Sequence, residues 1–287
     1  MDSLSAASDT ATDSATDKEA LQLLADSVRT TMTNPSVASG AELDAALADL
    51  GWLDMLDEIP DFAISSVFGL LGETGAHAPV LNDVVLRAAG RVPGGTATLP
   101  FTGGSWVVWE RTDEPSSAVD GDLPIHQVPE GDPLPLAALA AGRRAVGWWL
   151  VGTSRAMLAL ARQHAVDRVQ FGHHISSFQA IRHRLAETLV AIEGAEATLQ
   201  AAADVTDDPD GLACLLAKAA AGQAALTTAR HCQQVLGGIG FTAEHPLHRH
   251  VKRALVLDGL LGSARELTRE AGVALRARGS APRLAQL

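Results

Sequence analysis

With 287 residues, 47% of them hydrophobic, the chain is long enough and apolar enough to bury a sizeable core. Ala and Leu dominate, aromatic residues reach only 4% and Tyr is absent, so the composition favours helices over sheet. A formal charge of −12 excludes a nucleic-acid binder, because neutralising phosphates takes Lys and Arg in excess.

Residues 1–17 are mostly Ser, Thr, Ala and Asp with little to bury, and read as a disordered tail. Leu21, Leu24, Val28 and Met32 then recur at helical spacing from Lys18. A short acidic helix is expected over Ala41–Leu50, ended by Gly51–Trp52, with further helices over Pro60–Leu71 and Pro79–Ala89. Together, residues 18–92 form an N-terminal helical domain. Residues 93–133 change character: Gly94–Gly95, Gly103–Gly104, Pro115 and Gly121 punctuate short β-type pieces such as Ser105–Trp109. Two or three such strands need something to pack on, so this is a shortened β segment and not an independent sheet domain.

From residue 134 to 287 the pattern is helical again. Leu136–Val169 is apolar nearly all round in its first half, as in a helix buried inside a bundle. The next helix carries the stripe Phe178, Ile181, Leu185, Leu189, Ile192 and Leu199. Asp207-Asp208-Pro209-Asp210-Gly211 breaks the pattern, and a third helix runs to Leu236 and stops at Gly237–Gly238. A fourth is expected from Leu247 to about Arg278, followed by a loop-like end. Four long helices with short links predict an antiparallel four-helix bundle. The fold class is mainly α. Trp148–Val151 is the most apolar patch, but Arg143, Arg144 and Arg155 bracket it too closely for a membrane span. Adjacent Trp148 and Trp149 point about 100° apart on a helix, and bundle packing is their expected role. No basic-then-apolar leader opens the sequence, and the two cysteines, Cys214 and Cys232, sit in helical apolar runs as buried thiols. A cytoplasmic location is expected.

Three stretches carry chemistry. Asp167-Arg168-Val169-Gln170-Phe171-Gly172 puts an Arg at a helix end before an aromatic–Gly turn, with Gln179 one turn into the next helix. Such a corner can hold a diphosphate, although an Arg at a helix C-terminus also answers the macrodipole. Gln234-Val235-Leu236-Gly237-Gly238-Ile239-Gly240-Phe241-Thr242 lets a phosphate or ribose approach the backbone, or is simply a glycine cap. Glu244-His245-Pro246-Leu247-His248-Arg249-His250 holds three histidines without the further ligands a metal needs. With Arg249, Lys252 and Arg253 that segment reads as a basic, solvated face, with contact to a partner subunit or a coenzyme phosphate as the alternative, and His173–His174 as a connecting loop without chemistry.

In this order on a helical bundle, the motifs resemble those of acyl-CoA dehydrogenases. Arg168, Phe171–Gly172 and Gln179 look like that family's first signature, Gln234 to Thr242 its second, and Pro246-Leu247-x-Arg249 the segment that follows. The resemblance is strong over residues 136–278 and weaker over 18–92, where Leu50-Gly51-Trp52 and Phe68–Gly72 match the N-terminal helical domain. It implies that Arg168, Phe171, Gln179, Gln234, Gly237 and Gly238 bind the adenosine-diphosphate half of FAD, mainly the FAD of a neighbouring subunit. It also implies a Glu base that removes an α-proton from an acyl-CoA while the β-hydrogen leaves as hydride. At the usual base position this sequence has Leu261, and at the alternative one, on the first bundle helix, it has Gly142. Asp258 and Glu266 are the nearest acids in sequence to the first position.

The short β segment also departs from the full β domain the resemblance implies, with Ser105-Trp106-Val107 only a faint match to a flavin contact. These deletions form one set. They match the base-lacking subunit of α2β2 acyl-CoA dehydrogenases of bacterial steroid catabolism, in which a catalytic partner holds most of the FAD and the acyl-CoA. Two other readings stay open: a stand-alone binding or scaffold protein without FAD, and a homomeric dehydrogenase with a relocated base.

Overall fold

A computed structural model of the chain describes residues 3–111, 123–205, 208 and 210–280, with the side chains of the first helix described from Lys18 onward. Pro115, Gly121, Asp207, Pro209 and the end at 281–287, expected as turns and loop, lie outside the described residues.

Five helices open the chain: α1 (Ser3–Thr33), α2 (Ala41–Asp49), α3 (Trp52–Glu58), α4 (Pro60–Thr74) and α5 (Leu81–Ala88). α1 continues N-terminally through the stretch expected as a tail. Gly51, at φ 87°, ends α2 as expected, but the chain restarts at once as α3, which the sequence pattern did not reveal. Pro60 opens α4, where its missing N–H costs nothing.

Strands β1 (Thr98–Phe101), β2 (Ser105–Trp109) and β3 (Ile125–Val128) form an antiparallel sheet in the order β1-β2-β3. Leu99 pairs with Val107 and Trp109 with Ile125, and all four are fully buried. The sheet finds its support on the bundle: the Trp109 ring stacks on Trp149, centroids 5.4 Å apart. It is tied to α5 by Asn82, whose amide donates to Trp109 O (3.0 Å) and accepts from Ala97 N (3.1 Å). Next to it, buried Asp83 accepts from Trp52 Nε1 (3.1 Å) and Gly94 N (2.8 Å) and pairs with Arg111.

The rest is α6 (Leu136–Asp167), the hairpin β4–β5 (Val169–Gln170 with His173–His174), α7 (Gln179–Ala203), α8 (Leu212–Leu236), α9 (Leu247–Gly259) and α10 (Ala264–Arg278). α8 lies at the centre, packed on α6, α7, α9 and α10, and its buried Ala217, Ala221, Ala224, Ala225 and Ala229 let those neighbours come close. Its apolar span, Leu212–Phe241, is long enough to cross a membrane, but 67% of the most apolar window is buried inside the fold, as in a core helix. Of the expected stripe, Ile192 and Leu199 are buried and Ile181 and Leu185 half-buried, while Phe178 and Leu189 are exposed; Thr188, one position before Leu189, takes the buried place. Trp149 is fully buried, as is Cys232, while Cys214 is half-buried. α4 crosses α6 at backbone contact: an added Cβ at Gly72 would strike Trp149 O and Thr153 N, and one at Gly152 would strike Gly69 O.

The expected single last helix is instead two. α9 stops at Gly259, and Leu260–Ser263 form a turn in which Leu261 takes φ 60° and Gly262 φ 100°. Ser263 and Glu266 then start α10 with reciprocal side-chain-to-backbone bonds, a capping box.

Candidate functional site

Both positions at which the resemblance places a catalytic base come together. Leu261 is 1% exposed, and a Cβ built on Gly142 would lie 2.7 Å from Leu261 Cδ1 and 3.0 Å from Val85 Cγ2. The leucine therefore occupies the space left by the glycine, and the wall is closed by α5. Leu261 N donates to Pro100 O (2.8 Å), and its carbonyl accepts from Arg143 Nε (3.2 Å). The β segment and α6 thus clamp the turn from both sides.

Beneath it lies Lys218, fully buried, whose ammonium donates to Asp258 O (2.5 Å) and Gly262 O (2.6 Å). Burial lowers its pKa to about 7, opposed by the nearby Asp258. Sequence reading passed over Lys218, since a lysine in an Ala-rich helix looks like a surface residue. Its placement among apolar neighbours at helical spacing was the signal.

Neither acid nearest in sequence to the base position is placed to replace it. Asp258 Oδ1 accepts from Ala264 N (3.0 Å), capping the new helix. Glu266 accepts from Gly103 N (2.9 Å), Ser263 N (3.0 Å), Ser263 Oγ (2.7 Å) and Thr102 Oγ1 (2.8 Å). The Gly103 and Ser263 donors, led by the Gly103 N–H, pull its pKa down to about 2. A carboxylate so stabilised is too weak a base to remove an α-proton.

The other predicted residues lie at the opposite end of the bundle. α6 is continuous, so Gly142 and Arg168 are separated by roughly 40 Å at 1.5 Å rise per residue. Arg168 and Phe171 sit on the α6–α7 link and Gln179 opens α7, while Gln234 lies in the last turn of α8 and Gly237 and Gly238 on the α8–α9 link. The two links share one end, where the rings of His164 and His245 meet edge to face at 6.3 Å. All six positions are exposed except half-exposed Gly237.

The hairpin tip is unusual. Phe171 (φ 53°) and Gly172 (φ 78°) both take left-handed backbone, which for a phenylalanine is strained. Its ring is 91% exposed, touching Phe178 edge to face at 6.4 Å. With Phe241 68% exposed on the neighbouring link, this end presents large apolar groups to the outside. A Cβ at Gly237 or Gly238 would meet nothing within 4 Å, whereas at Gly240 it would lie 2.8 Å from Gln233 O. The first two glycines are thus open to approach from outside, and the third is packed under the helix end. Gln234 also borders a cleft of about 370 Å³ with Arg184, Arg230 and His231.

The basic segment on α9 departs from the solvated face expected. Arg253 is 5% exposed, 5.8 Å over the Trp149 ring, and donates to Ala76 O (3.4 Å). Among the described residues no group of three His, Cys, Asp or Glu side chains is arranged to hold a metal.

Residues 130–270 match the acyl-CoA dehydrogenase C-terminal domain. The chain is similar to acyl-CoA dehydrogenase FadE34 of Mycobacterium tuberculosis, 33% identical over 205 residues, covering 64% of this chain and 28% of that protein. It spans about a third of the length of the curated relatives it matches, 28–37%. Its fold is similar to that of the Tcur3481–Tcur3483 steroid ACAD (TM-score 0.69, 21% identity, 91% of this chain and 99% of that one). It is likewise similar to the ChsE4–ChsE5 complex from Mycobacterium tuberculosis (TM-score 0.67, 21% identity, 92% and 98%).

Proposed function

The chain belongs to the acyl-CoA dehydrogenase family, and from that premise we propose that it is the non-catalytic subunit of a heteromeric FAD-dependent acyl-CoA dehydrogenase. The observation that carries this reading is the mutual filling of the two base positions, with Leu261 packed into the space over Gly142. A proton acceptor is missing at both, and the volume beside them is taken by side chains.

The two halves of the cofactor fare differently against this structure. The ring half does not fit beside Leu261, where α5, α6 and the turn are in van der Waals contact. The diphosphate half fits the opposite end. There Arg168 offers charge-assisted donors, Gln179 and Gln234 offer amides, and Gly237–Gly238 leave the backbone open. Phe171 supplies an exposed ring to cover a bound group. A separation of roughly 40 Å along α6 argues against one flavin using both ends, which favours the flavin of another subunit. When bound, the flavin supplies the hydride acceptor of the reaction. This chain's part is to hold the ADP end and exclude water from it.

The exposed aromatic groups at that end provide a surface for a catalytic partner of the same family. The proteins of similar fold include a steroid ACAD and a two-component complex. In line with them, we extend the proposal to an α2β2 assembly acting in the cytoplasm on a steroid side-chain CoA thioester. With Asp258 and Glu266 both engaged in starting α10, the homomeric reading loses its two named bases.

The test is flavin retention by the complex of this chain with a base-bearing acyl-CoA dehydrogenase subunit from the same genome. Arg168→Ala and Gln234→Ala in this chain should each release FAD from the complex while leaving the two subunits associated. Full retention in both variants would refute the shared-site reading, and a complex that never forms would leave the scaffold reading in its place.

A further inference from the structure

On the side of α9 facing the N-terminal helices lies a cavity of about 480 Å³ that the proposed subunit role does not use. Its walls include Ser39, Thr74 and His77 from the N-terminal helices and Arg249, His250 and Arg253 from α9. None of the six motif positions lines it, and neither does any Asp or Glu among the described residues. Its size is that of an ordinary small-molecule site.

The α9 wall has a regular origin. Pro246, Arg249, His250 and Arg253 follow the i, i+3, i+4, i+7 spacing of one helix face. α9 turns Leu247, Ala254 and Leu257 into the bundle, while the face it shows to the N-terminal helices is basic. Arg253 is fixed in place by the Trp149 ring on one side and Ala76 O on the other, so little side-chain freedom is left to lose on binding. Arg249 is exposed at the mouth. Ser39 Oγ accepts from His77 N (3.4 Å), which leaves its hydroxyl proton free to donate. The imidazole of His250 is held down to about pKa 4, chiefly by burial, with Arg253 and Arg249 adding to it. At neutral pH it is an uncharged ring with one N–H to offer.

We propose that this cleft binds a phosphate-bearing ligand of nucleotide size, gripped by Arg249 and Arg253 with Ser39 and His250 completing the donors. Two guanidiniums on one face suit a phosphate better than a lone carboxylate, because each can present paired N–H groups to its oxygens. A free nucleotide and the phosphorylated end of a coenzyme A thioester share this chemistry.

Isothermal titration of the full chain with ADP, coenzyme A and inorganic phosphate tests it and separates the two sources. ADP and coenzyme A are expected to bind, each at least tenfold more weakly to Arg249→Glu. Coenzyme A tighter than ADP identifies a CoA-type ligand, and ADP at least as tight as coenzyme A identifies a free nucleotide. Arg249→Ala gives the same reading should charge reversal lower the melting temperature. Absence of binding at millimolar concentration overturns the proposal. So does an affinity lost with Arg168→Ala but kept with Arg249→Glu, which would move the ligand to the motif end and leave the subunit role untouched.

Discussion

Restoring the missing carboxylate should damage this protein and not revive it. In Leu261→Glu the side chain enters a site that is 1% exposed and bounded by Gly142 and Val85. Losing the buried leucine costs roughly 1.5–3 kcal/mol. Burying a polar group there without a matched partner adds about 1–3 kcal/mol by protein mutational data. The sum, on the order of 4 kcal/mol, should lower Tm by about 8–16 °C for a chain of this size. The introduced carboxylate is favoured in its neutral form, so its folded pKa lies above its unfolded one. The deficit relative to wild type should therefore be smallest near pH 4, where the neutral-form cost remains, and grow as pH rises toward 8. Melting followed by circular dichroism across that range, with acyl-CoA turnover measured alongside, gives the answer. A variant that melts with wild type at pH 8 would refute the filled-site reasoning, and acyl-CoA turnover would refute it more strongly.

Other consequences can be measured on the same preparation. Lys218 is neutral above about pH 7 in the folded chain but stays protonated to its usual pKa of 10.5 when unfolded, so stability should climb from pH 7 to 10. Lys218→Met should flatten that climb in urea titrations at several pH values, and an unchanged slope would exclude the assignment. Glu266, with its folded pKa near 2, stabilises the chain above its unfolded value of 4.5, a contribution lost as pH falls toward 2. Glu266→Gln should therefore lower stability at pH 7 while weakening the acid dependence, as read from acid unfolding curves. Gly152→Leu forces a side chain into the backbone contact between α4 and α6, and should destabilise by about 1–3 kcal/mol or more in urea denaturation.

The bundle helices were legible because apolar residues recur at helical spacing over many turns, and because Gly237, at φ 65°, marks the end of α8 with the residue best suited to it. The break after α9 was not. Leu260 and Leu261 continue the apolar pattern, and the left-handed turn begins on a leucine, held by Pro100, Arg143 and Lys218 from distant parts of the chain. One local signal was present: Ser263 and Glu266 have the spacing of a capping box. Arg253 was misread because its burial depends on Trp149, far away in sequence. The two empty base positions were readable separately, but only the fold brings Leu261 against Gly142. The exposure of Phe171 on a strained tip likewise belongs to the folded hairpin, not to the sequence pattern.

The most direct test of the supporting-subunit account is the flavin content of this chain purified alone and then co-expressed with a base-bearing acyl-CoA dehydrogenase subunit from the same genome. The account predicts a colourless lone chain and about one FAD per heterodimer. Stoichiometric FAD on the lone chain, with acyl-CoA turnover, would contradict it and make this protein an enzyme in its own right.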